Sequence, residues 1–215
     1  MSDEKEAGRL ILKNLAMFNE AAVFFENEIQ SKIQDEFTKI ISRWIEENNA
    51  WEVTNEENEF IWEISESSSW LSFIPSKWNY ETAWFYFGWL DKVESGVPIN
   101  YALTDLCGIS STRMGVCFNI NQAAFGGVKK WNNSLGQHSN EYIEKLKEFG
   151  FIFEKGWGGI NTFKLPVKLD VEKLVVAWET DDYEEAFKPF TDALDTLETS
   201  WQKFDELIDK VKDDL

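Results

Sequence analysis

The chain has 215 residues, 43% of them hydrophobic and 28% charged, and carries 11 Trp and 17 Phe. That apolar content excludes a disordered chain, and four Pro and 12 Gly exclude a fibrous one. The net charge of −18 is uneven: residues 1–67 carry −10, residues 68–168 carry +2 and residues 169–215 carry −10, so as a whole the chain repels nucleic acid and membrane phosphates.

The longest apolar run, residues 83–90, is far shorter than the ~20 residues that span a bilayer. The start Met-Ser-Asp-Glu-Lys-Glu has neither the basic nor the apolar region of a signal peptide. Two cysteines make no disulfide framework and no zinc site. A cytoplasmic protein without membrane contact is expected.

The first element expected is a long helix over residues 10–48, or two helices with a bend. Leu15, Phe18, Ala22, Phe25, Ile29, Ile33, Phe37, Ile40 and Trp44 recur at steps of three and four, with no Pro or Gly between them. Residues 60–64 alternate as a half-buried strand. Residues 83–90, apolar throughout, suit a strand covered on both faces, and residues 115–120 suit another. Residues 139–149 suggest a short helix stopped by Gly150. Residues 151–155 and 160–165 suggest a hairpin around Gly156-Trp157-Gly158-Gly159. Residues 169–178 suggest a helix closed by Thr180-Asp181-Asp182.

Residues 184–215 form the last element. The seam Phe187, Phe190, Leu194, Leu197, Trp201, Phe204, Ile208, Val211 and Leu215 alternates steps of three and four, as in a coiled coil. It pairs either with the first helix of the same chain or with a second copy, as a homodimer. The fold class expected is therefore α+β. An antiparallel sheet carries long amphipathic N- and C-terminal helices packed on it or on each other. Its parts are an N-terminal helix (1–50), a mixed core (51–168) and acidic C-terminal helices (169–215), together one domain.

Catalytic motifs are missing. The single histidine, His138, lies among Gln137, Ser139 and Asn140, which look like a helix start. There is no nucleophile elbow and no phosphate-cradling loop; Gly126-Gly127-Val128-Lys129-Lys130 lacks the required spacing. Cys107 and Cys117 are too far apart in sequence for C-x-x-C redox work and suit buried thiols. No cofactor, metal site or enzymatic activity is expected.

Twelve of the forty residues from 51 to 90 are aromatic, but only Lys77 supplies a cation there. Base stacking needs cations beside it, so this belt reads as core. Trp70, Phe73 and Trp78 lie in an irregular Ser/Pro stretch and are expected to be exposed, as anchors for a protein partner.

The stretch from Tyr142 to Leu165 resembles the last helix and wing of winged-helix domains, and residues 103–111 resemble a helix-turn-helix opening. In that arrangement Gln137, His138, Ser139 and Asn140 would read bases. Lys129, Lys130, Lys145, Lys147 and Lys155 would meet phosphates, against the opposing charges of Glu141, Glu144 and Glu148.

Gly150-Phe151, Gly156-Trp157-Gly158-Gly159, Asp170-Val-Glu-Lys-Leu, Asp182-Tyr-Glu-Glu-Ala-Phe-Lys-Pro-Phe, Ala193-Leu194 and Phe204-Asp205-Glu206-Leu207-Ile208 resemble the C-terminal half of certain bacterial PD-(D/E)XK-like proteins of unknown function. The nuclease motif needs an acid, any residue, then Lys on a strand. The triplet occurs only at Asp3-Glu4-Lys5, so no catalytic residue carries over. The resemblance implies an accessory domain derived from a nuclease, without its active site.

The functional expectation is a non-enzymatic acidic binding protein, an inhibitor or nucleic-acid mimic that occupies a basic surface of a protein partner. Asp192, Asp195, Glu198, Asp205 and Asp209 fall between the apolar seam residues and are expected to face solvent. Together with Trp70, Phe73 and Trp78 they form the partner-binding set. The alternatives are a winged-helix DNA-binding regulator, or an accessory domain of a defence, phage or mobile-element system.

Overall fold

The computed structural model describes residues 3–48, 50–53, 71–79, 81–90, 102–109 and 112–215. The elements run α1 (Asp3–Lys13), α2 (Leu15–Phe24), a π-helical stretch (Phe25–Gln30), α3 (Ser31–Glu47), β1 (Trp51–Val53), β2 (Leu71–Pro75), β3 (Ala83–Trp89), α4 (Ala102–Leu106) and β4 (Met114–Ile120). They continue with a 3₁₀ turn (Gln122–Phe125), α5 (Val128–Lys147), β5 (Ile152–Lys155), a second 3₁₀ turn (Trp157–Gly159), β6 (Asn161–Val167), α6 (Val171–Thr180) and α7 (Glu184–Asp213). The fold is α+β. Among the described residues, six strands form one sheet in the order β1-β2-β3-β4-β6-β5, antiparallel throughout. No described helix is long and apolar enough to cross a membrane.

Pleating sends alternate side chains to opposite faces. One face carries Phe73, Phe85, Phe87, Val116, Phe118 and Phe163, all fully buried or nearly so. Helix α7 lies over it. Phe204 meets Phe85 and Phe118 at ring distances of 5.0 and 4.8 Å, and Phe190 meets Phe87 at 4.9 Å. Helix α3 adds Phe37 against Phe187 at 4.6 Å, and α5 adds Trp131 against Phe118 at 6.2 Å. The opposite face carries a polar row through paired positions: Ser72, Tyr86, Cys117 and Lys164. Where β4 passes β6, Gly115 has no room for a side chain, because a Cβ there would run into the Leu165 carbonyl.

Several expectations change. The α7 seam is covered by the chain's own sheet and by α5, so its pairing with α3 is only part of the packing. Of the seam, Phe187, Phe190, Leu194, Leu197, Phe204, Ile208 and Val211 are buried within the chain, Trp201 is half-buried and Leu215 is 48% exposed. The N-terminal helix is interrupted at Asn14 and again by the π stretch. A π turn adds a residue, which rotates the apolar stripe about the axis. Ile33, Phe37, Ile41 and Trp44 are therefore buried, whereas Leu15 and Phe18 are exposed and Ile40 is only half-buried.

Helix α5 begins at Val128, eleven residues before its expected start, after Gly127 with φ 98°. Trp131, Leu135, Tyr142 and Leu146 form its buried face; the polar run around Gly136 hides this period in the sequence. Strand β2 replaces chain expected to be irregular, and β1 is a short strand with no counterpart among the expected elements. The strand expected at 60–64 lies outside the described residues. Cys107 and Cys117 are free and buried, as expected, and burial pushes the Cys107 thiol up to about 11.

Candidate functional site

The outer stripe of α7 runs at steps of three and four through Glu185, Lys188, Asp192, Asp195, Thr199, Gln202, Glu206, Asp209 and Asp213, all exposed. It extends roughly 42 Å at ~1.5 Å per residue. Six of its nine residues are acids and one is Lys. Lys188 pairs with Asp192 at 2.8 Å and Lys203, beside the stripe, with Glu206 at 2.8 Å. One carboxylate per roughly 7 Å is about a quarter of the axial charge density of duplex DNA.

Of the five acids expected to face solvent, Asp192, Asp195 and Asp209 do so. Glu198 and Asp205 do not: both are half-buried and turned toward the sheet edge. Glu198 accepts a hydrogen bond from Trp51 Nε1. Asp205 accepts from Lys77 Nζ and, at 3.0 Å, from Trp78 Nε1. They fix α7 to β1 and to the turn after β2, because the apolar face of α7 is wider than its seam and these two positions flank it.

The aromatic set also divides. Phe73 was expected to be exposed, but it is an inward residue of β2, fully buried, 6.3 Å from Trp44. Trp78 is half-buried and stacks on Phe85 at 5.4 Å. Trp70 lies outside the described residues. The signal that would have placed Phe73 is alternation, since Phe73 is flanked by Ser72 and Ile74, which turn to the other face.

A cluster at the end of α7 contains the single histidine. Asp214 accepts from Ser134 Oγ at 2.7 Å and lies 2.8 Å from His138 Nε2. Serine and imidazole both address the carboxylate rather than each other, so the histidine does not activate the hydroxyl as a nucleophile requires. The cluster instead fastens α7 to α5. One turn away, Lys145 and Lys210 both bond Glu141, at 2.7 and 3.1 Å, above the ring of buried Tyr142.

The hydrogen bonds from Lys145 and Lys210 hold the Glu141 carboxyl at about 2. Asp214 is likewise held below the usual range, first by Ser134 and then by His138. A lowered folded value gives stability that is present above the unfolded value and lost as pH falls through the folded one. The melting temperature is therefore expected to fall between about pH 4.5 and pH 2, and Glu141→Gln is expected to flatten that fall. Thermal unfolding across this range, followed by circular dichroism, checks it; identical profiles for the two proteins would show that the bridge contributes nothing.

Gln137, His138 and Asn140 lie in the middle of α5, not at a helix start, so they are not presented end-on as in a reading helix. The triplet Asp3-Glu4-Lys5 lies in α1. On the polar sheet face, burial raises the Cys117 thiol, opposite to what a nucleophile needs. No group of three His, Cys, Asp or Glu side chains among the described residues is placed to hold a metal.

A second feature had no sequence signal. Between the π stretch, α4 and α6 lies an apolar groove of about 330 Å³, lined by Phe25, Ile29, Leu103, Leu174, Trp178 and Tyr183 among others. The chain matches no protein-family model, no curated protein and no solved structure.

Proposed function

We propose that the protein is a non-catalytic binding protein whose α7 outer stripe engages a basic surface on a protein partner. The observation that carries this reading is the stripe itself: six exposed acids on one helix whose other side is locked onto a sheet. A helix held at Phe190, Phe204, Glu198 and Asp205 presents its charges with little motion left to lose, which favours binding. The density of the stripe suits spaced Lys and Arg side chains on a protein better than a continuous phosphate-binding track. Attraction of this kind acts mainly on the association rate and on partner choice. An inhibitor that covers a basic site is the activity such a surface serves.

The test is charge reversal at the three acids that touch nothing structural beyond a surface pair. Asp192→Lys, Asp195→Lys and Asp209→Lys together are expected to lower affinity for a captured basic protein at least tenfold. Binding of the unaltered protein is expected to weaken markedly when salt rises from ~0.1 to ~0.5 M, because screening shortens from ~10 Å. Isothermal calorimetry at both salt levels measures this. Affinity indifferent to both reversal and salt would defeat the reading. Glu198 and Asp205 stay out of that variant, since reversing them would pull α7 from the sheet edge.

A further inference from the structure

Eight large apolar side chains of α1 and α2 stand 43% to 73% exposed, among them Leu12, Leu15, Phe18 and Phe24. Leu10, Ile11 and Leu12 follow one another, so they point in three directions around the helix and no single face of their own chain can cover them. Helix α2 holds only Asn19 and Glu20 as polar residues, and a helix apolar on nearly every side is normally buried. The base of this arm passes along α6, where Phe24 meets Trp178 edge-on at 6.0 Å. There the arm adjoins the apolar groove, whose rim carries Val171, Val175 and Ile109 at 41%, 47% and 66% exposure.

We propose that a second copy of this chain covers this surface, the arm of each protomer lying across the α6 rim and groove of the other in a two-fold pair. The area is sufficient. In a two-fold pair each protomer contributes the side of its arm that meets the partner, about four side chains, and its own rim of Ile109, Val171, Val175 and Trp178; at on the order of 100 Å² each these supply roughly 800 Å², the share each partner gives to a standard interface. A two-fold pair also needs a surface that fits itself, and this molecule carries a projecting apolar helix and an apolar groove side by side.

Charge favours the same place. From residue 7 to residue 25 the chain holds only Arg9, Lys13 and Glu20, in a protein of net −18, so two copies approach here with least repulsion. Helix α6 carries Glu172 on its outer side and Glu179 at the groove, opposite in sign to Lys13 and to Arg9, whose own partner is Glu6 at 2.5 Å. A bilayer fits less well, because anionic headgroups repel the chain and the arm offers only Lys5, Arg9 and Lys13 as cations, against Asp3, Glu4, Glu6 and Glu20.

Light scattering coupled to gel filtration, at tens of micromolar protein, tests this. The expected mass is about twice the 25.1 kDa of one chain. Leu12→Asp with Phe18→Asp is expected to give the monomer, with an unchanged circular dichroism spectrum because both positions are exposed. Val171→Asp with Val175→Asp is expected to do the same from the other side of the contact. A dimer that survives the arm variant overturns the proposal. A dimer lost with the arm variant but kept with the α6 variant overturns it too, in favour of arm-to-arm packing. So does a wild-type monomer, and if that monomer floats with vesicles of phosphatidylcholine and phosphatidylglycerol, the arm is a membrane helix instead. The test does not involve α7, so it stands apart from the acidic-surface reading.

Discussion

Phe204→Ala is expected to destabilise the protein by about 4 kcal/mol, the largest single effect of any substitution considered. Phe204 is fully buried and its ring meets Phe85, Phe118, Phe151 and Phe163 at 5.0, 4.8, 5.1 and 5.8 Å. Three of these belong to the neighbouring strands β3, β4 and β6, so the ring joins the sheet's central strands to the helix above them. Truncation removes the apolar transfer term and leaves a cavity that the four surrounding aromatic residues cannot collapse into without leaving their rotamers.

Against a total stability of roughly 5–15 kcal/mol this is a large share. At ~2–4 °C per kcal/mol for a chain of this size, the melting temperature is expected to fall by roughly 8–16 °C. Urea unfolding should show a lower midpoint at unchanged slope. Phe204→Leu keeps most of the volume and is expected to cost under about 1.5 kcal/mol. A cost below about 1 kcal/mol for the alanine variant would mean that α7 does not rest on the sheet through this ring. Because the acidic stripe owes its rigidity to that seat, the alanine variant is also expected to weaken partner binding without touching an acid.

The elements most legible in the sequence were those whose period is unbroken. The seam of α7 can be read from Phe187 to Val211 because every third or fourth residue is apolar, and α6 can be read from the turn Thr180-Asp181-Asp182 that closes it, while its start shifts to Val171 because Asp170 caps the Glu172 and Lys173 backbone N–H groups. The hairpin at Gly156–Gly159 is equally plain. What could not be read has physical causes. A π stretch is invisible to a count in threes and fours, so the stripe of the N-terminal helix was carried past the point where it rotates away.

Strand β2 is only five residues long, and its Ser72 and Pro75 look like loop. Seam position alone cannot tell that Trp51, Lys77 and Trp78 reach Glu198 and Asp205 from 127 to 147 residues away. Such ties are tertiary facts, and they divided a set of five acids into three that face water and two that anchor the helix.

The buried Lys164 gives the last expectation. Lys164 is 3% exposed; its ammonium donates to the Leu90 carbonyl at 2.6 Å and to Glu154 at 3.3 Å, while Arg113 donates to the same carboxylate at 2.8 Å. Glu154→Gln removes the countercharge and leaves a buried cation held by neutral groups, which is costlier than losing both charges together. With Glu154 about one-third exposed, the expected loss is about 2–3 kcal/mol, at or below the ~3–5 kcal/mol for breaking a fully buried pair. Lys164→Met is expected to be near neutral, since removing a buried ammonium offsets the loss of a donor to Leu90.

In the Lys164→Met background, Glu154→Gln should therefore cost less by at least about 1 kcal/mol, a coupling that a double-mutant cycle in urea reads directly. The pH dependence has a fixed sign. Arg113, and after it Lys164, hold the Glu154 carboxyl below its usual value, so the stability it gives is present above about pH 4.5 and lost on acidification through the lower folded value. Lys164→Met should reduce that acid sensitivity in part and leave the share due to Arg113. Equal costs for Glu154→Gln in both backgrounds would show that the Leu90 carbonyl alone satisfies the ammonium, and that Glu154 serves Arg113 only.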